Sequence, residues 1–188
     1  GARIEISDRD ADGEDVDLDG AVGIQVDPGV ETEVAHGGTL VLNDSYVASA
    51  SEDDLVDTDG DGTPDSPDGE ADGPFARDRN KTGLLIGEVD ANDNPTAGQA
   101  GVTGSVELLN TSSVQVAGQD SYGVRSVTGI SGDLLAGGII SVRGERSRGL
   151  SVEADVDGDV SVARVEVTSP DGEAVAVEAG FDAKDAVG

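Results

Sequence analysis

The sequence predicts an all-β fold, a right-handed parallel β-helix built from coils of about 25 residues with loop insertions. Three observations predict it. A small residue followed by an aliphatic one recurs in register along the chain. The short runs around that step alternate apolar and polar residues, as strands do, and no stretch sustains a helical apolar period with caps at its ends.

The repeat is clearest late in the chain. SVQVAGQDSYGVRSV aligns with ISVRGERSRGLSV, placing Gly118 on Gly144, Ser121 on Ser147, Gly123 on Gly149 and Val124 on Leu150. A further shift brings in VEVTSPDGEAVAV, with Val142 on Val167, Leu150 on Val175 and Val152 on Val177. Upstream, Thr82-Gly83-Leu84 and Val22-Gly23-Ile24 carry the same step, so it stands at positions 24, 84, 124, 150 and 175. A second landmark travels with it: Gly132-Asp133-Leu134, Gly158-Asp159-Val160, Gly104-Ser105-Val106 and Gly38-Thr39-Leu40. Three strands and three corners per repeat close one coil, each stacked about 4.8 Å above the last. Valine, isoleucine and leucine point inward, glycines supply corner conformations, and the prolines fall in corners or insertions where no ladder N–H is needed.

The uneven spacing locates the insertions. The strand-like run ARIEIS is followed by the acidic loop DRDADGEDVDLDG and then by Val22-Gly23-Ile24. Similarly, Ser45-Tyr46-Val47 is followed by a long acidic stretch before Thr82-Gly83-Leu84. Two acidic loops thus leave the coil at one corner. A shorter insertion, EVDANDNPTAGQAG, sits at another, before Gly104. The expected organisation is a single β-solenoid domain over residues 1–188, cut from a longer repeat region, with residues 51–81 forming an acidic calcium-binding insertion.

Composition narrows the functions. The net charge is −29, from 40 acidic and 11 basic residues, which excludes nucleic acid as a partner because phosphate binding needs a basic face. Cysteine is absent, so there is no disulfide, thiolate metal site or cysteine nucleophile, as suits a protein exported unfolded. No run is long and apolar enough to cross a membrane as a helix. Aromatics are only 2% of the chain (Tyr46, Tyr122, Phe75 and Phe181), so the core is filled by small aliphatic side chains in thin layers.

The stretch VDTDGDGTPDSPDGE carries the chemistry. Asp57, Asp59 and Asp61 alternate, Gly62 permits a tight turn, Thr63 offers a backbone carbonyl, and Asp65 and Asp68 complete the set. Calcium takes six to eight oxygens, and alternate aspartates on a tight loop converge on one point. The spacing matches the calcium pattern of thrombospondin type 3 repeats and resembles the loops of EF-hands and dockerins. The bland alternative is a solvated acidic linker. A second loop opens with Asp8, Asp10 and Asp12 before Gly13, and Asp19 occupies its twelfth position. There Val16 stands where the other loop has Asp65, and Asp15 and Asp17 lie nearby.

Catalysis is not expected. His36, the lone histidine, reads as a turn residue with no nucleophile to serve. Parallel β-helices do include polysaccharide lyases and hydrolases that use carboxylates or a basic residue beside calcium, but carboxylates here are too common to mark such a site. Arg125, Arg143, Arg146, Arg148 and Arg164 fall in adjacent coils, either as a patch for an anionic glycan or as local partners of Glu145, Glu153 and Glu166. Asn43-Asp44-Ser45, Asn80-Lys81-Thr82 and Asn110-Thr111-Ser112 fit the N-glycosylation pattern. Tyr122 reads as a corner cap, with sugar stacking as the sharper alternative.

Repeats such as SVQVAGQDSYGVRSVTGISGDL and ISVRGERSRGLSVEADVDGDV resemble the passenger regions of bacterial autotransporters, over residues 20–50 and 82–180. The resemblance implies a β-helix outside the cell, tethered through a C-terminal barrel in the outer membrane. The expected function is therefore an extracellular surface fibre or adhesin segment, a rigid rod displaying calcium-stabilised loops. Its partner would be a glycan or protein on a host or neighbouring cell. A filament subunit stacking end to end and a polysaccharide-processing enzyme are the alternatives.

Overall fold

Short aliphatic runs become strands wherever the alternation is clean. The structure, a computed structural model, describes residues 2–8, 11–12, 16–43, 78–168 and 172–177. Among them are twelve strands and no helix. These are β1 (Ala2–Ile6), β2 (Val22–Val26), β3 (Val34–His36), β4 (Gly38–Leu42), β5 (Thr82–Ile86) and β6 (Val106–Leu108), followed by β7 (Ser113–Ala117), β8 (Tyr122–Ser126), β9 (Leu134–Arg143), β10 (Arg148–Val152), β11 (Val160–Thr168) and β12 (Glu173–Val177).

The strands form two sheets, and every pairing between them is parallel. One sheet has five strands in the order β2-β5-β8-β10-β12. The other has seven and forks: β1-β4-β7 leads to the second half of β9, β3-β6 leads to its first half, and β11 pairs along its length. Each strand therefore pairs with the equivalent strand of the next repeat. The register read from the sequence is the register observed: Ile24 pairs with Leu84, Leu84 with Val124, Val124 with Leu150 and Leu150 with Val175.

Two readings are corrected. Gly38-Thr39-Leu40 is not a copy of the Gly104-Ser105-Val106 landmark: Leu40 pairs with Val114, and Val106 takes Val34 as its upstream partner. A glycine before an aliphatic residue marks more than one row here, and the pattern alone does not separate them. The three-strand repeat also merges in later passes, where β9 and β11 run through a corner as single strands of 10 and 9 residues. Gly137-Gly138 lies within β9 between its two pairing halves, and β11 shifts register between Val162 and Arg164.

The core is one continuous cluster of small aliphatic rows. Leu40, Val114 and Ile140 form one row, while Leu84, Val124 and Leu150 form another facing it, all essentially inaccessible. The sheets approach most closely along Gly23, Gly83, Gly123 and Gly149. A Cβ at these positions would meet a neighbouring atom at 2.8, 2.5, 2.3 and 2.0 Å respectively. The recurring small residue is thus a requirement of close packing between opposed walls.

Side-chain oxygens satisfy backbone N–H groups at the corners. Ser121 Oγ accepts from Lys81 N at 3.0 Å, and Ser147 Oγ accepts from Ser121 N at 3.1 Å. At another corner Ser105 Oγ accepts from Asp133 N at 3.0 Å, and Asp133 Oδ1 accepts from Asp159 N at 2.8 Å. Burying a corner requires this pairing, because an unsatisfied backbone donor there would cost roughly 1–3 kcal/mol.

Candidate metal centre at a shared corner

The corner before the five-stranded sheet is turned repeatedly in the same way. Gly20, Asn80, Asp120 and Arg146 precede the equivalent positions Ala21, Lys81, Ser121 and Ser147, and all four have left-handed backbones, with φ of 72°, 56°, 49° and 51°. Glycine, asparagine and aspartate take this conformation at low cost. In two repeats the corner is short. In the other two an acidic segment is inserted ahead of the same left-handed residue, between β1 and β2 and again between β4 and β5. The two acidic loops therefore do leave from one corner of adjacent repeats.

Their roots are bonded together. Gly20 N donates to Arg79 O at 2.9 Å, Thr82 N donates to Ala21 O at 2.9 Å, and Arg79 N donates to Asp19 Oδ1 at 2.6 Å. This brings Asp17, Asp19 and Asp78 together, with one carboxylate oxygen from each lying within 4.8 Å of the others. Asp17 Oδ1 also accepts from Asp19 N at 2.9 Å.

Lys81 stands beside this cluster, fully buried in the row that Ser121 and Ser147 occupy in later repeats. Its Nζ lies 2.8 Å from Asp78 Oδ2 and donates to Asn43 O at 3.0 Å. Asn43 and Asp78 flank residues 44–77, so one ammonium holds both sides of the longer insertion. Three carboxylates against one ammonium leave excess negative charge, and an all-oxygen donor set suits a hard cation such as calcium.

The site residues expected from sequence are distributed unevenly over the structure. Asp57, Asp59, Asp61, Thr63, Asp65 and Asp68 lie outside the described residues, as does Asp10. Asp8 is buried, with Val16 N donating to its carbonyl at 2.6 Å, and Asp12 is exposed. Neither belongs to the cluster around Asp19, whose companions are Asp17 and Asp78. Asp78 and Lys81 were missed by sequence reasoning. The repeat alignment held a signal for Lys81, because it stands two residues before Gly83, where Ser121 and Ser147 precede Gly123 and Gly149.

A second polar centre lies on the outer face of the five-stranded sheet. Arg125 is 4% exposed, and its guanidinium stacks over Tyr122 at 4.3 Å from the ring centroid. It donates to both oxygens of Glu153, at 2.7 and 3.1 Å, and pairs with Asp93 at 2.8 Å. Asp93 belongs to the shorter insertion, so Arg125 clamps that loop across two repeats. Burial pushes the Asp93 carboxyl up from its ordinary value, against the opposing pull of Arg125. Burial likewise raises the Tyr122 hydroxyl. Asp90 in the same loop is held below the ordinary carboxylate value by the backbone N–H groups of Asn94 and Asn92.

Three of the other arginines have local acidic partners. Arg146 pairs with Asp120 at 2.7 Å and with Glu145, Arg148 with Glu173 at 2.9 Å, and Arg164 Nε with Glu166 at 2.8 Å. His36 ends β3 rather than occupying a turn, in a row with Leu108 and Ala136. Comparison of the chain with family models, curated proteins and solved structures finds no match.

Proposed function

We propose that the chain is a right-handed parallel β-helix serving as a rigid segment of an extracellular bacterial surface fibre or adhesin. The rod presents two acidic loops from one corner, and calcium stiffens their roots and the 51–81 insertion. The supporting observation is the unbroken register from Ile24 through Leu84, Val124 and Leu150 to Val175, with both large insertions at the same corner. Parallel strands joined by crossovers take the right-handed connection almost without exception. A stack of this kind is stiff along its axis, while loops vary freely on one side. The autotransporter resemblance supplies the setting: a passenger held at the outer membrane by a C-terminal barrel, with a partner on a host or neighbouring cell and no catalytic role.

Asp17, Asp19 and Asp78 would hold the ion where the two loops meet, and Asp57, Asp59, Asp61, Thr63, Asp65 and Asp68 would hold another in the insertion. The test is cell binding by the intact chain against a variant in which residues 44–77 are replaced by a short corner. Equal binding by the two would overturn loop display. One observation favours a second reading, end-to-end stacking: Val175 and Val177 are each 38% exposed, in rows whose inner members are buried. Concentration-dependent filaments in electron micrographs would decide for it.

A further inference from the structure

The outer face of the seven-stranded sheet carries a groove of about 340 Å3, lined by Val41, Asn43, Gln115, Ser141, Arg143 and Thr168 among others. We propose that it binds an uncharged, extended oligosaccharide lying across the repeats. The inference rests on the coil reading above, because the ligand axis is taken as the stacking axis.

Pairing sets the array. Glu5, Val41, Gln115, Ser141 and Glu166 form one row across five strands, and Ala117, Arg143 and Thr168 form part of the next. Their neighbours along the strands, Leu40, Leu42, Val114, Val116, Ile140 and Val142, are buried in the core, so the row projects outward. Adjacent members of a row stand about 4.8 Å apart, close to the rise of one pyranose along an extended glycan. Three adjacent repeats can therefore each meet one sugar ring with a side chain that both donates and accepts: the Gln115 amide, the Ser141 hydroxyl and, in the next row, the Thr168 hydroxyl. Val41 supplies a small apolar floor.

The electrostatics select against anionic chains. Glu5 and Glu166 bracket the central row, and the whole molecule carries a charge of −29. On this face Glu5 pairs with Arg3 and Glu166 with Arg164, so the selection rests on the field of the whole molecule. Among the described residues no aromatic ring lines the groove, so affinity rests on hydrogen bonds.

The experiment is an NMR titration of the intact chain with cellohexaose and chitohexaose, and with a hyaluronan hexasaccharide as the acidic comparator. Saturable shifts at Gln115, Ser141 and Arg143 are expected for at least one uncharged hexasaccharide, with weaker shifts for the acidic one. Gln115→Ala with Ser141→Ala should weaken binding roughly tenfold. No saturable shift with either uncharged chain at millimolar concentration, shifts centred elsewhere, or tighter binding of the acidic chain would overturn the proposal. Circular dichroism and solution scattering on the same samples keep its failure distinct from that of the coil reading. A β-rich rod that binds nothing sinks the groove alone, whereas a compact particle sinks the coil.

Discussion

Leu150 and Val175 occupy the same row, paired directly, yet Leu150 is fully buried and Val175 is 38% exposed. An aspartate at Leu150 would place a carboxylate between Val124 and Val175 with no partner, and should cost at least about 3 kcal/mol. At Val175 the same substitution keeps access to water and should cost about 1 kcal/mol or less. Urea unfolding of Leu150→Asp and Val175→Asp checks both, and equal midpoints would mean that the row is not a core row. Asp93 gives a prediction of opposite sign. Its carboxyl is raised above its ordinary value because burial outweighs the attraction of Arg125. The folded state therefore holds that proton more tightly than the unfolded one. Ionised Asp93 opposes folding above its folded pKa, and the penalty disappears as pH falls through that value toward the unfolded 3.8. Asp93→Asn should thus stabilise the protein at neutral pH, by about 0.5 kcal/mol or less at a partly exposed, screened position. It should make no difference once the parent is protonated. Unfolding curves of the two proteins at pH 7 and in acid measure the change, and a variant less stable at neutral pH would show that the Arg125 pair dominates.

At the scale of single elements, the strands were legible and the corners only partly so. The alternation in SVQVA specifies a two-sided strand, and the glycine at the second position of TGLLI specifies close approach to the opposite wall. Both are local signals. The corner ladders are not, because a serine that accepts from the backbone of a neighbouring repeat looks in sequence like any loop serine. For the same reason the candidate metal centre was half visible. Asp17 and Asp19 stand in an acidic run, but their partner Asp78 arrives from the far side of a long insertion, and only pairing of the loop roots brings them together. Lys81 tests this arrangement. Replacing it by the residue that its row carries elsewhere, Lys81→Ser, leaves the backbone N–H at position 81 donating to Ser121 Oγ while removing the ammonium from Asp78 and Asn43. The two sides of the insertion should then separate while the sheets persist. Limited proteolysis should cut faster between Asn43 and Asp78, with an unchanged β-spectrum. If cleavage stays as slow as in the parent, Lys81 does not hold the insertion closed.

Across the whole molecule, the repeat offset was readable because each apolar row is only as strong as its weakest member, so every repeat must present an aliphatic residue at the same place. The merging of strands in β9 and β11 was not readable: in β11 the corner is only a register shift within a run of alternating valines, and in β9 the Gly137-Gly138 pair looks in sequence like any turn between two separate strands. This architecture separates two kinds of stability. The apolar rows hold the repeats together without any ion, as the short corners at Asp120 and Arg146 show by making the same left-handed turn with no insertion. The acidic loops face a net charge of −29 and gain most from a cation. Calcium should therefore protect the loops and leave the sheets unchanged. Chelation should speed proteolysis within residues 51–81 while circular dichroism retains its β-signal, and returned calcium should reverse the effect. Asp59→Ala with Asp61→Ala should imitate chelation in the insertion, and Asp17→Asn with Asp19→Asn should do so at its root. At a hundredfold excess over its dissociation constant, an ion that binds only the folded loop stabilises it by about 2.7 kcal/mol. That is enough to suppress cutting there roughly a hundredfold. Titration calorimetry showing no calcium uptake at millimolar concentration would remove the ion from this account. Loss of the β-signal on chelation would instead make the ion part of the stability of the sheets themselves, and the division between scaffold and loop would fail.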